Sequence, residues 1–174
     1  RDWSSDVCSS DLLDLIATAE AGRVMRGRIP VARLERVLPA LISEQGELQV
    51  ELNFGKDPDG TYFLAGTILG EIVMCCQRCM EGLTLPLDIS FRLGLLRDEG
   101  EVDSLSGRFE PLVVTAEPAY IADIVSDEVL LALPIVPLHG ESDECHADMK
   151  AYKPPQGEQR ENPFAVLAGL KHKQ

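Results

Sequence analysis

The sequence predicts an α+β domain: an antiparallel sheet with a long central hairpin, a few packed helices and a partly mobile acidic C-terminal region. Three observations predict it. Residues 47–54, then the longer runs 62–74 and 83–95, alternate apolar and polar side chains, the period of strands with one buried face. Only the segment Cys75 to Gly82 separates the two long runs, so they join as a hairpin. Residues 117–133 instead space their apolar side chains for one face of a helix.

In chain order, residues 1–12 show neither period and read as a non-native leader, translated adaptor sequence ahead of the protein proper. Residues 13–139 read as the core domain, 140–161 as a polar tail and 162–174 as a short amphipathic helix. Residues 13–21 suit a short helix, with Leu13, Ile16 and Ala17 on one side, and 23–29 look extended. Pro30 opens a second helical stretch to Ile42, where Val31, Leu34, Val37, Leu38 and Leu41 recur around an interrupting Pro39. Leu48, Val50, Leu52 and Phe54 then alternate with Glu47, Gln49, Glu51 and Asn53, and Asp57-Pro58-Asp59-Gly60 supplies a turn. In the hairpin, Tyr62, Leu64, Ile68, Ile72 and Met74 share one parity, as do Leu83, Leu85, Leu87, Ile89, Phe91, Leu93 and Leu95. Gly66 and Gly70, isolated within a strand, mark a bulge or a close backbone approach.

Residues 98–110, rich in Asp, Glu, Gly and Ser, read as a solvated loop. In the following helix Ile121, Ile124, Val125, Val129 and Leu133 form the buried stripe; Asp123, Asp127 and Glu128 fall on the surface, and Pro134 and Pro137 end it. Near the C-terminus Asn162 caps a last helix with Pro163 at its first position. Phe164, Leu167 and Leu170 give that helix an apolar face for a protein partner or for the protein's own core.

A chain of 174 residues suits one domain with tails, and 45% apolar residues suffice for a core. No apolar run approaches the roughly 18 residues that cross a bilayer, and no signal peptide is visible, so the expectation is a cytoplasmic protein away from membranes. Five cysteines, an odd number, argue against a disulfide framework. The net charge of -13 is uneven: residues 97–148 hold 13 acids against Arg97 and Arg108, while residues 12–96 hold 11 acids and 8 bases. Arg23, Arg26, Arg28, Arg33 and Arg36 cluster against Glu35 alone. The whole chain therefore repels nucleic acid at long range while one patch can touch phosphate; the acidic segment attracts a basic partner, such as a ribosomal protein.

Cys76-x-x-Cys79 is the sharpest local signal. Two thiolates so spaced on a tight turn can share one zinc ion, as in zinc knuckles. Cys145 with His139 or His146 would complete a Cys3His set, whereas Cys75 would lie on the other side of its strand from Cys76. Reduced cysteines packed at the hairpin tip, or a redox dithiol, are the other readings; β structure on both flanks speaks against the second. No enzyme constellation is present: no glycine-rich phosphate loop, no nucleophile elbow, and all three histidines after residue 138. No small-molecule substrate is expected.

Three stretches together carry a resemblance. Cys76-Gln77-Arg78-Cys79 between alternating strands, Ile121 to His139, and Asn162 to Lys173 resemble the YceD family, the bacterial and plastid group called large ribosomal RNA subunit accumulation protein. The resemblance spans roughly residues 13–174, and Cys145 soon after Pro137-Leu138-His139 fits it. It implies a role in making or accumulating 23S ribosomal RNA, with large-subunit RNA or its precursor as partner and no established catalytic group. Arg78 at the hairpin tip and the patch of Arg23, Arg26, Arg28 and Arg33 are then the expected RNA contacts. The alternatives are a thiol redox protein and an RNA-processing enzyme.

Overall fold

The computed structural model describes residues 12–115, 117–140 and 145. The chain divides into two units after His139, and the sheet, the helices and the core belong to the first. Residues 1–11 of the expected leader, the expected tail segment apart from Gly140 and Cys145, His146 included, and the segment carrying Phe164, Leu167 and Leu170 lie outside the described residues.

Strand β1 (Leu12–Leu13) leads into helix α1 (Leu15–Glu20), which Asp14 caps by accepting from the Ala17 N–H at 2.9 Å. Gly22, at φ 58°, turns the chain into β2 (Val24–Pro30). The helix expected from Pro30 to Ile42 is absent. Two 3-10 turns, Val31–Arg33 and Leu38–Ala40, stand there instead, followed by β3 (Leu41–Ser43). Pro39 has no N–H to give an α-helix, and Leu34 at ψ 66° has left helical geometry. The apolar spacing still does its job, because Val31, Leu34 and Val37 are fully buried.

Four more strands complete the main sheet: β4 (Glu47–Lys56), β5 (Tyr62–Cys75), β6 (Gly82–Leu96) and β7 (Glu110–Val113). They run in the order β2-β4-β5-β6-β7, with β3 paired to the far end of β5. The β5–β6 hairpin keeps one register from Tyr62 opposite Leu95 to Cys75 opposite Gly82. All pairings in this sheet are antiparallel except β6 with β7, which is parallel. The loop after β6 contains a 3-10 helix, Glu99–Ser104. Strand β8 (Ala119–Tyr120) pairs with β1 and runs into α2 (Ile121–Ala132).

One sheet face is buried and the other open, as the alternation requires. Leu48, Leu52, Leu64, Ile68 and Ile72 are fully buried beneath α1 and α2, while Gln49, Thr67, Asp88 and Ser90 face solvent. Helix α1 packs on β4 and β5, and α2 on β6. Each such aliphatic side chain contributes about 1.5–3 kcal/mol of transfer energy, so a one-residue slip that inverted the hairpin would be prohibitive. Both strand glycines mark close approaches. A Cβ on Gly66 would lie 2.2 Å from the Phe91 ring opposite it, and one on Gly70 2.7 Å from Leu48. Glu128, expected on the surface, is buried on α2 with only 8% exposed. No helix among the described residues is long and apolar enough to cross a membrane.

Candidate metal centre

The turn at the hairpin tip is built by backbone hydrogen bonds. The Cys76 N–H donates to the Glu81 carbonyl and the Met80 N–H to the Cys76 carbonyl, each at 2.9 Å, with Met80 left-handed at φ 65°. This curl turns both Cys76 and Cys79 toward one point, whereas Cys75 faces the other side of β5, its thiol 3.8 Å from the Cys76 carbonyl. The chain leaving α2 then crosses the tip: Gln77 N–H donates to the Pro137 carbonyl at 2.9 Å.

That crossing delivers His139. Its Nε2 lies 3.1 Å from the Gly82 carbonyl and its Nδ1 3.5 Å from the Cys79 sulfur. A carbonyl only accepts, so Nε2 carries the proton and Nδ1 keeps its lone pair for a ligand. Zinc bonds of about 2.3 Å to sulfur and 2.05 Å to nitrogen, at a tetrahedral angle, would set these atoms about 3.5 Å apart. The ligand atoms of Cys76, Cys79 and His139 all lie within 4.8 Å of one another, a group that could hold a metal ion, while Cys145 belongs to the second unit.

The electrostatics suit a cation. Burial pushes the Cys76 thiol up, but the backbone N–H groups of Cys79, His139 and Arg78 donate to its sulfur and, with the Cys79 thiol, bring it down to about 5 from an ordinary 9.0. A fully buried sulfur is thus a thiolate at neutral pH.

The expected RNA contacts sit elsewhere or are engaged. Arg78 is half-buried, and its Nη1 is enclosed without a hydrogen-bond partner. Arg26 and Arg28 project from the open face of β2, where Arg26 pairs with Glu51 at 2.8 Å and Arg28 with Glu47 at 3.7 Å. Arg26 donates to Glu51 and holds its carboxyl below the usual range. Arg36 binds Asp127 of α2 at 2.6 Å, Arg33 is half-buried, and Arg23 is exposed just before β2. The sequence reading gave no role to the exposed apolar side chains Leu131, Ile135 and Val136. The signal was present in Pro134 and Pro137, which bracket Ile135 and Val136 and keep them out of the helix whose other face is buried.

The sequence model for the family described as "Large ribosomal RNA subunit accumulation protein YceD" matches residues 64–171, which take in the long hairpin, its knuckle, α2 and His139. The chain belongs to the YceD family. The large ribosomal RNA subunit accumulation protein YceD of Haemophilus influenzae is 30% identical over 146 residues, covering 81% of this chain and 83% of that protein. No solved structure matches the chain. The family match spans all the described thiols and the one described histidine, so the candidate metal centre belongs to the part that defines the family.

Proposed function

We propose that this chain supports the synthesis or accumulation of 23S ribosomal RNA, and so of the large subunit, as a non-enzymatic cytoplasmic factor. Membership of the YceD family across the hairpin, knuckle and α2 is the observation that carries this reading. Its partners are large-subunit RNA or its precursor and a basic ribosomal protein. Arg23, Arg26, Arg28, Arg33 and Arg78 are the groups offered to RNA. The Arg26–Glu51 pair is open to solvent and screened by it, so exchanging its carboxylate for a phosphate costs little. Phe164, Leu167 and Leu170 are offered to a protein partner.

Cys76, Cys79, His139 and Cys145 hold a structural zinc ion in this reading. Three thiolates and one imidazole form the soft donor set that zinc prefers, and four protein ligands leave no position for substrate or water. Redox cycling is the weaker alternative, because the thiol with the lowered pKa is fully buried and thiol–disulfide exchange needs access to sulfur. An RNA-processing enzyme would have to cut or trim its substrate in the presence of a divalent ion.

Depletion of the protein in its own host tests the function. A fall in the ratio of 23S to 16S RNA, restored by re-expression, is expected; an unchanged ratio with normal large subunits would overturn it. Pull-down with and without RNase separates the partners. Precursor RNA lost on RNase treatment assigns direct RNA contact, and a ribosomal protein that survives it assigns an adaptor role.

A further inference from the structure

The segment from Pro134 to His139 is a strap laid across the hairpin tip, and it is held differently from the helix it follows. Helix α2 is fixed by its buried stripe, with Ile121, Val125 and Val129 fully enclosed. It ends at Leu133, whose N–H bonds back to the Val129 and Leu130 carbonyls and whose backbone has already turned extended at φ -66° and ψ 138°. Of the six residues that come next, only Pro137 is buried, while Ile135, Val136 and Leu138 are exposed.

Polar contacts fasten this strap, and they converge on the knuckle. The Pro137 carbonyl accepts from the Gln77 N–H at 2.9 Å, His139 Nε2 donates to the Gly82 carbonyl at 3.1 Å, and the His139 N–H donates to the Cys76 sulfur. A hydrogen bond contributes little net, because water offers the separated groups comparable partners, whereas each residue that becomes ordered gives up backbone entropy of similar or larger size. Pro134 and Pro137 are stiff beforehand and reduce that deficit without removing it. The strongest tie open to the strap is therefore a bond from His139 to a metal ion. Its Nδ1 lies 3.5 Å from the Cys79 sulfur, the separation of two ligands on one zinc.

We propose that the metal centre is the clasp of this strap. With zinc bound, His139 locks residues 134–139 over the hairpin tip; with zinc removed the strap lifts, while α2 and the sheet stay folded. The zinc rests on the proposed function, whereas the contrast between a packed helix and a thinly held strap does not. The chain beyond His139 leads into the second unit. Release therefore lengthens the tether of that unit by the six residues of the strap, roughly 20 Å when extended. Metal occupancy thus sets the reach of the C-terminal segment and leaves the core as it is.

Amide hydrogen exchange, read residue by residue by NMR on the full chain, tests this in the zinc-loaded protein and after chelation. The Gln77 and His139 amides should exchange at least about tenfold faster without the metal, and added zinc should restore them. The Leu133 amide and those paired between β5 and β6 should exchange as before. Cys79→Ser spares all three hydrogen bonds of the strap and should show the same rise with no chelator present. Zinc that leaves without a change at Gln77 and His139 would overturn the clasp and leave a structural zinc standing. A rise at every amide would overturn it too, because the ion would then hold the whole fold. A chain that takes up no zinc removes the zinc reading, and the clasp falls with it.

Discussion

Met80 follows the second knuckle cysteine with its backbone at φ 65°, a conformation that costs an L-residue about 1–2 kcal/mol. Its side chain is largely exposed, so little packing opposes a change. Met80→Gly should relieve the strain, less the chain entropy that glycine loses on folding, for a net gain of about 0.5–1 kcal/mol in urea unfolding. Loss of stability would mean the methionine is held by contacts that outweigh its backbone. Glu128 presents the opposite problem, a carboxyl buried on α2. Burial, then Glu110 and Asp127, raise its pKa in the folded state. Its protonated form is therefore favoured by folding, and stability present below the ordinary carboxylate range is lost as pH rises through the raised value. Glu128→Gln should match the wild type near pH 4 and exceed it at pH 7, where the wild-type carboxyl must give up its proton in a buried place. Equal urea midpoints at both pH values would count against this account. Neither residue announces itself in the sequence: backbone sign is invisible in a one-letter code, and Glu128 sits beside Asp127, which truly is exposed.

At the scale of elements, the long hairpin was legible because alternation over a dozen residues has only one structural solution, and its burial follows that parity until Leu93, from which β6 stays buried through Leu96 where β7 pairs with it. The segment from Pro30 to Ile42 was legible only as apolar positions. Spacing of three serves a 3-10 turn as well as a helix, and Pro39 chose between them. The knuckle was legible as a cysteine pair, and His139 as a candidate ligand; the choice of Nδ1 required the Gly82 carbonyl to be in place. The same element carries the metal prediction. Purification without chelator should return about one zinc per chain, and Cys79→Ser less than half of that. Site occupancy at a thousandfold excess over Kd adds about 4 kcal/mol, so chelation should lower Tm by about 10 °C in a protein of this size. A metal-free protein with an unchanged melting curve under chelator would dismiss the zinc.

Across the whole molecule, the open-faced sheet with helices on one side follows from period and charge, whereas two pairings do not. Strand β7 joins β6 in parallel through a long loop, and four residues are too few to signal direction. The ladder between β1 and β8 is two residues long and no local pattern foretells it. Yet that ladder has a consequence in time. Leu12 and Leu13 are among the first described residues to leave the ribosome, and their partners Ala119 and Tyr120 follow roughly a hundred residues later. At about 5–20 residues per second, the start of the chain waits on the order of ten seconds for its strand partner. During that interval α1 has β4 and β5 to lean on but no clip behind it, so this small ladder closes only as α2 emerges, ahead of the crossing that brings Pro137 and His139 to the hairpin tip.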